Sequence, residues 1–532
     1  MNPIALLSRD LVTSIIKRLP FGLDEWKYLH FFYRDWEFRT KFQQFDEYGE
    51  VFMEVSSGGR ACYIGSAEVA QQVFQSRNGF LKDIDFYRVV RVYGDNVLTT
   101  AGHQWRHQRK ITSRSFTEDV YATAWTEGLS QSSAIISQWM QGKILSGPEE
   151  STPGGFVAPA TKAMALNLIS KAGFGVSLPM VASKSQASET KNKASIGIMD
   201  DAYFSADWTP AGHTLSYAEA LDMFLENIVL ARVIPFGILR RGNNFMRKLA
   251  AASDDVGLYM KELVARERSK PSTTLLNALA HDKGLPEQEV IGNLFIFALA
   301  GLDTTASTLQ FALCLLALNQ DVQEWLHRDI KKALEGESED PAEWNYSQVY
   351  PKLVGCLCVI HETLRLHPII LTFPKTTGPS PQPIVYKGKT FIIPEDTNVF
   401  VSMPALSYHP SYWGSMPSKF APQKWDARDP DSGWGNGSEL MPGTQLRQPV
   451  KGAWAAFSEG TRSCLGKKFA LVEMCAFLVM IFGKYRITIA PKEGETQEMA
   501  HERVKRVMSE STALISVTMR EDVGVKIEKR VS

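Results

Sequence analysis

The sequence predicts one large domain that is mainly α-helical with small β-sheets, an α+β fold. Three observations carry this expectation. Apolar residues recur at helical spacing from about residue 66 to residue 370. Strand-like alternation is confined to short pieces, and after about residue 50 no composition break separates two units. The chain divides into an N-terminal segment, 1–45, and a domain spanning 46–532.

The N-terminal segment is read first. Arg9 and Asp10 interrupt its first apolar run, so no cleavable secretory signal is expected. Leu11, Val12, Ile15, Ile16 and Leu19 fall on one helical face with Lys17 and Arg18 beside it. An aromatic stretch follows, from Phe21 and Trp26 to Phe31, Trp36 and Phe38. The pattern fits a helix lying in a membrane interface, or an arm packed on its own domain.

Residues 51–55 and 60–64 alternate around Ser57, Gly58 and Gly59, which predicts a hairpin. Ile392, Val399 and Val401, flanking Pro394, predict a second small strand region. The longest apolar run, 291–319, is long enough to span a bilayer. Asp303 near its centre would cost about 2.5–3.5 kcal/mol there. Asn293, Gln310 and three threonines add to the polar load, so a long helix through a protein core is expected. Residues 426–450, rich in Gly, Pro, Asp and Ser, read as a surface excursion. The Gly433–Gly437 alternation there lacks the strand and helix of a dinucleotide site.

Composition narrows the function. With 44% apolar and 22% charged residues the chain is neither disordered nor fibrous. Lys plus Arg and Asp plus Glu number 58 each, which argues against a nucleic-acid partner. Six cysteines are few for 532 residues, and several sit in apolar helical patterns, so they read as reduced thiols.

The segment Phe457-Ser458-Glu459-Gly460-Thr461-Arg462-Ser463-Cys464-Leu465-Gly466 runs directly into an amphipathic helical pattern. A cysteine before a helix start meets unpaired N–H groups and the positive dipole end, which favour a thiolate. Gly460 and Gly466 suit tight turning and close approach to a flat cofactor, and Arg462 supplies a fork for a carboxylate. No second Cys or His stands at zinc-finger spacing, whereas a lone thiolate in a glycine-lined loop fits an axial haem ligand. The alternative is an ordinary buried thiol.

Phe457, Gly460, Arg462, Cys464 and Gly466 match the F-x-x-G-x-R-x-C-x-G haem motif in full, and here the chain resembles the cytochrome P450 family. Ala300-Gly301-Leu302-Asp303-Thr304-Thr305 resembles its central-helix motif, Glu362 and Arg365 its E-x-x-R pair, and Trp105 and Arg109 its W-x-x-x-R pair. The resemblance implies that family's fold, with a long central helix over haem b. It makes Cys464 the axial thiolate ligand, with Phe457 and Gly466 in the haem loop. Trp105, Arg109, Arg462 and, more weakly, Lys375 become haem-propionate ligands. Asp303 and Thr304 become the acid–alcohol pair that serves dioxygen activation, and Glu362–Arg365 a structural ion pair. Where relatives carry P-E-R-F this chain has Pro422-Gln423-Lys424-Trp425, which puts the third partner of that pair in doubt.

The resemblance further implies a monooxygenase acting on a hydrophobic small molecule, in the manner of fungal microsomal-type enzymes of secondary metabolism. No G-x-G-x-x-G follows a strand, so electrons are expected from a partner; the resemblance implies a separate NADPH-dependent P450 reductase, with cytochrome b5 as a second donor. Lys467, Lys468 and Arg462 are docking candidates for it. Phe86, Tyr87, Phe295, Phe297, Ile369, Ile370, Phe373 and Leu514 are the pocket candidates. The expected place is the cytosolic face of the endoplasmic reticulum, with residues 227–239 as a second membrane contact; a cytoplasmic enzyme is the alternative.

Overall fold

The computed structural model describes residue 31 and residues 35–56, 58–145, 151–178, 203–204, 208–433, 439–513 and 515–530. The 11–19 face, much of the aromatic stretch and the pocket candidate Leu514 lie outside the described residues.

Strands β1 (Val51–Ser56) and β2 (Gly59–Ile64) form the expected hairpin, antiparallel with Val51 opposite Ile64. Gly59 takes the left-handed backbone that closes it. The sheet continues through β9 (Thr397–Ser402), parallel to β2, then β6 (Thr372–Thr376) and β3 (Leu81–Lys82). A second sheet runs in the order β10 (Tyr485–Ile489), β13 (Gly524–Lys529), β5 (Ser151–Phe156), β4 (Lys143–Leu145). Two hairpins complete the strands, β7 (Gln382–Tyr386) with β8 (Lys389–Ile393), and β11 (Thr512–Ala513) with β12 (Val517–Thr518). Strands β3 to β5 interrupt the span read as helical. Ser-Thr-Pro-Gly-Gly-Phe has no alternation to reveal β5; pairing with β13 imposes it.

The helices that frame the site are α1 (Gly102–Arg114), α2 (Glu118–Gln141) and α3 (Val157–Leu168), the last continuing into a π-turn over 169–173. Next come α4 (Tyr217–Glu226), α5 (Ile228–Val233), α6 (Phe236–Arg241) and α7 (Asn244–Ser269). The central α8 is Glu287–Leu318, followed by α9 (Val354–Leu366) and α10 (Lys467–Lys484). Starts follow local chemistry: the Thr117, Ser216 and Asn243 side chains accept the N–H of Val120, Glu219 and Met246.

Among the described residues α8 is the one helix long and apolar enough to cross a membrane, and protein packs around it. An all-round apolar helix belongs inside a large core. Residues 290–299 and 305–317 are buried without a break. Helix α10 packs on α2, where Gly128 has no room for a Cβ because Ala476 would meet it at 2.8 Å.

Two sequence expectations are sharpened by packing. Trp36 and Phe38 are buried, and Trp36 packs edge-on against Tyr63 of β2, so this end of the aromatic stretch is an arm on its own domain. The described parts of 426–450 are tied down by bridges from Asp426 to Leu446 and from Leu440 to Arg447, and Leu446 is fully buried.

Candidate active site

Helix α8 loses its burial at one place. Ala300 is exposed and Gly301, Asp303 and Thr304 are half-buried, between long buried stretches. Thr304 lies seven residues from Phe297, on the same helical face. The Phe297 ring packs on Phe116 at 5.7 Å, and Phe116 would lie 3.9 Å from a Cβ placed on Gly466. The opened stretch of α8 is thereby linked to the Cys464 loop. The helix runs unbroken through Gly301, where a Cβ would press Ile169 at 3.1 Å, so the glycine gives room to the π-turn.

Cys464 stands two residues before the N-cap of α10 and is the one exposed cysteine of six; the other five are buried and free. Its backbone N–H donates to the Phe457 carbonyl at 2.8 Å, closing the loop. Gly460, at φ +69°, has no space for a side chain because a Cβ would collide with the Phe74 carbonyl. Gly466 has ordinary φ, and a Cβ on it would stand 4.0 Å from Cys464 Sγ, over the thiol itself. One glycine makes the turn; the other clears the approach to sulfur. Although the sulfur surface is open, the protein packed around it pushes the Cys464 thiol up, against the Gly466 N–H, the Arg109 and Lys467 charges and the Lys467 N–H that pull it down. The positive charge of a coordinated metal is what completes deprotonation of such a ligand.

Around this loop the sheet and α1 bring cations together. Arg462 lies on the Trp105 ring at 3.8 Å and donates to the Thr100 carbonyl at 3.1 Å. Arg109 donates to the Ser463 carbonyl at 2.7 Å, tying α1 to the loop. Lys375 sits opposite Lys82 in the β3–β6 register. Burial, then the Arg462 charge, lowers the Lys375 ammonium to about 8. Burial with Arg109 nearby lowers Arg462 to about 10. Lys82 is pulled well below its ordinary value by burial and then by the positive charges of Arg462, Lys375 and Arg109. Clustered, desolvated cations are costly without an anion. A group carrying two carboxylates over a single sulfur ligand satisfies this set, so the residues fit haem b. Lys82 escaped sequence reasoning because only the β3–β6 pairing places it beside Lys375.

The pocket candidates separate. Phe86, Tyr87, Ile370 and Phe373 are half-buried, while Phe297 and Ile369 are nearly covered. Phe295 has no exposed surface: it is enclosed by Tyr93 and Phe224 and backs the wall instead of lining it. A cavity of about 840 Å³ opens between α4–α7 and the start of α8, with Tyr93, Phe224, Phe236 and Ile291 among its apolar lining.

The Cytochrome P450 family profile matches residues 26–517. The chain belongs to the cytochrome P450 family. It is 27% identical to a cytochrome P450 monooxygenase of Arthrobotrys oligospora, over 99% of this chain and 91% of that one. Against the cytochrome P450 monooxygenase ORF6 of Penicillium roqueforti the identity is 27%, covering 96% and 87%. The fold is that of the cytochrome P450DA heme domain, with a TM-score of 0.69 at 18% identity over 95% of this chain and 96% of that one. The retinoic-acid-bound cyanobacterial CYP120A1 gives 0.65 at 18%, over 94% and 96%. The protein is a P450 monooxygenase, an oxidoreductase, and its family implies a haem-thiolate cofactor.

In this P450 the E-x-x-R pair is complete without an arginine after Pro422. Arg365 donates to Glu362 through Nε and Nη2, both at 2.8 Å, and both residues are buried. Glu362 also accepts from the Ala421 N–H at 2.9 Å and the Trp425 indole at 2.8 Å. Trp425, not Lys424, is the third side chain of the network. A second tie was not anticipated: Thr305 donates to Glu473 of α10 at 2.5 Å, joining the central helix to the ligand helix. Burial lifts Glu473 to about 8, against the Thr305 bond, so it is largely neutral at pH 7.

Lys82→Met is expected to weaken haem retention about tenfold, roughly 1.4 kcal/mol, since a hydrogen bond to a charged group is worth about 1.5–3 kcal/mol. The same change should stabilise the haem-free chain by removing a buried charge. Haem transfer to apomyoglobin, with thermal unfolding of the haem-free protein, measures both; unchanged retention would remove Lys82 from the site.

Proposed function

We propose that this P450 takes electrons from a separate NADPH-dependent reductase, with cytochrome b5 as a second donor, and oxidises a hydrophobic small molecule of secondary metabolism. The observation that carries the reading is the opening of α8 at Ala300–Thr304, linked through Phe297 and Phe116 to the loop of the exposed Cys464. Haem b, when bound, supplies dioxygen activation and transfer of one oxygen atom, favoured by a thiolate ligand. Cys464 is that ligand, and Trp105, Arg109, Arg462, Lys375 and Lys82 hold the propionates. Phe457 and Gly466 shape the loop at the sulfur.

The protein's proton chemistry falls to Asp303 and Thr304. Thr304 Oγ1 donates to the Ala300 carbonyl at 2.7 Å, which orients its lone pairs for accepting. Burial pushes the Asp303 carboxyl up, opposed by the Ser516 hydroxyl and by Lys162, so it holds a proton more readily than a surface aspartate. A named relative supports the metabolic setting: the phomenoic acid biosynthesis cluster P450 of Leptosphaeria maculans is 25% identical over 81% of this chain.

Thr304→Ala is the test. NADPH should still be consumed, but electrons should leave as hydrogen peroxide, with product per NADPH falling about tenfold. Asp303→Asn should slow oxygen consumption itself, because it interrupts proton delivery. An unchanged product ratio in Thr304→Ala would reject the relay.

The reductase face follows from α1. Trp105 and Arg109 turn inward, while Arg106, Lys110 and Arg114 stay exposed on a helix without a single acid. Lys467 joins them, but Arg462 does not, because it lies on Trp105; Lys468 is paired with Glu118. The membrane reading rests on Ile238 and Phe245, which are 56% and 47% exposed beside Arg240 and Arg241. The enzyme should sediment with endoplasmic-reticulum membranes and be released by alkaline carbonate. Complete recovery in the soluble fraction of a native lysate would support the cytoplasmic alternative.

A further inference from the structure

Asp303 is not turned toward Thr304. Its Oδ2 accepts a hydrogen bond from Ser516 Oγ, across 213 residues of sequence. Ser516 is 3% exposed and lies in the turn between β11 and β12, directly before the start of β12. Beside it Ala513 pairs with Val517, and the Val517 N–H donates to the Ile369 carbonyl at 2.9 Å. Ile369 follows the Glu362–Arg365 helix and is itself buried. A hydroxyl one residue from that anchor therefore decides where the carboxyl of Asp303 points.

The other charged groups around Asp303 are few. Lys162 of α3 acts on it favourably and Glu226 of α4 unfavourably. Lys162 and Glu226 form an ion pair, both about half exposed, and Asp222 and Asp522 also face Lys162. The solvent-connected side of Asp303 is this pair, and its other contact is the C-terminal turn. Thr304 has its own hydrogen committed to Ala300, so the two members of the pair are held apart by separate partners.

We propose that Ser516 is a positioning residue for Asp303, docking its carboxyl on the β11–β12 turn so that this C-terminal turn sets the direction of the acid. The proposal rests on the reading of Asp303 as a proton relay. Ser516 touches neither cofactor nor reacting atoms in this role; it acts through the carboxyl.

The experiment compares Ser516→Ala, Ser516→Thr and Asp303→Asn with wild type. The first readout does not depend on turnover. It is the protonated-carboxyl stretch in pH-difference infrared spectra of the ferric resting enzyme, assigned to Asp303 by its loss in Asp303→Asn. Ser516→Ala should raise the frequency of that band and move its disappearance to higher pH, since the hydroxyl stabilises the ionised form. The second readout is product per NADPH oxidised. It should fall by about threefold or more, a small part of the ~10²-fold that a positioned proton donor contributes. Ser516→Thr should restore both. A band and a coupling ratio identical to wild type in Ser516→Ala, with Asp303→Asn impaired, would overturn the role of Ser516 and leave the relay standing. An unimpaired Asp303→Asn would overturn the relay itself.

Discussion

Cys464→Ser is expected to abolish product formation, reducing turnover to the level of enzyme-free controls. The substitution changes one atom on a side chain whose backbone N–H is already committed to the Phe457 carbonyl, so the loop keeps its shape. The donor of electron density is what disappears, because a serine hydroxyl does not supply a thiolate's charge. The strongly red-shifted Soret band of the ferrous carbonyl complex should vanish with it. Haem should remain bound at reduced affinity, because the cationic cluster of Lys82, Arg109, Lys375 and Arg462 is untouched. Persistence of the red-shifted band in the variant would show that another residue ligates the iron.

The parts of this protein that were legible in the sequence are those whose chemistry is local. The hairpin at 51–64 alternates and turns on glycines, and the 287–318 helix declares itself by apolar length and its acid. The Cys464 loop is equally local, since ten consecutive residues carry it. What stayed hidden is assembled by tertiary pairing. Lys82 becomes a site residue only because β3 pairs with β6, and Ser516 only because β11–β12 folds back on α8. Phe295 was misread for the same reason in reverse. Its spacing puts it on α8, but whether a ring on that helix lines a cavity or fills the core depends on Tyr93 and Phe224. The room that Gly301 leaves for Ile169 likewise depends on how the π-turn packs on α8.

The largest effect on stability is expected at Glu362. Both members of the ion pair are out of solvent, and Arg365 also donates to the carbonyls of Ser407, Pro417 and Lys419. Glu362→Gln would leave that guanidinium buried without its counter-charge, a loss of about 3–5 kcal/mol. The damage should reach the haem loop, because the rings form a path to it: Trp425 packs on Trp454 at 5.6 Å, and Trp454 on Phe457 at 6.2 Å. Trp425→Phe keeps an aromatic ring but loses the N–H bond to the carboxylate, at roughly 1.5–3 kcal/mol, together with part of the volume of a fully buried indole. Lys424→Arg should stay within about 0.5 kcal/mol, because Trp425 already fills the third place. The pH dependence has a definite sign. Burial alone would raise the Glu362 carboxyl, but Arg365, the Trp425 indole and the Ala421 N–H bring it below its ordinary 4.5. A depressed acid contributes stability above its unfolded value and loses it as pH falls through the folded one. The difference between wild type and Glu362→Gln should therefore be full near neutrality and shrink below pH 4.5. Denaturant unfolding followed by haem absorbance at both pH values measures it. A Lys424→Arg gain comparable to the Trp425→Phe loss would mean that the cation, and not the indole, completes the network.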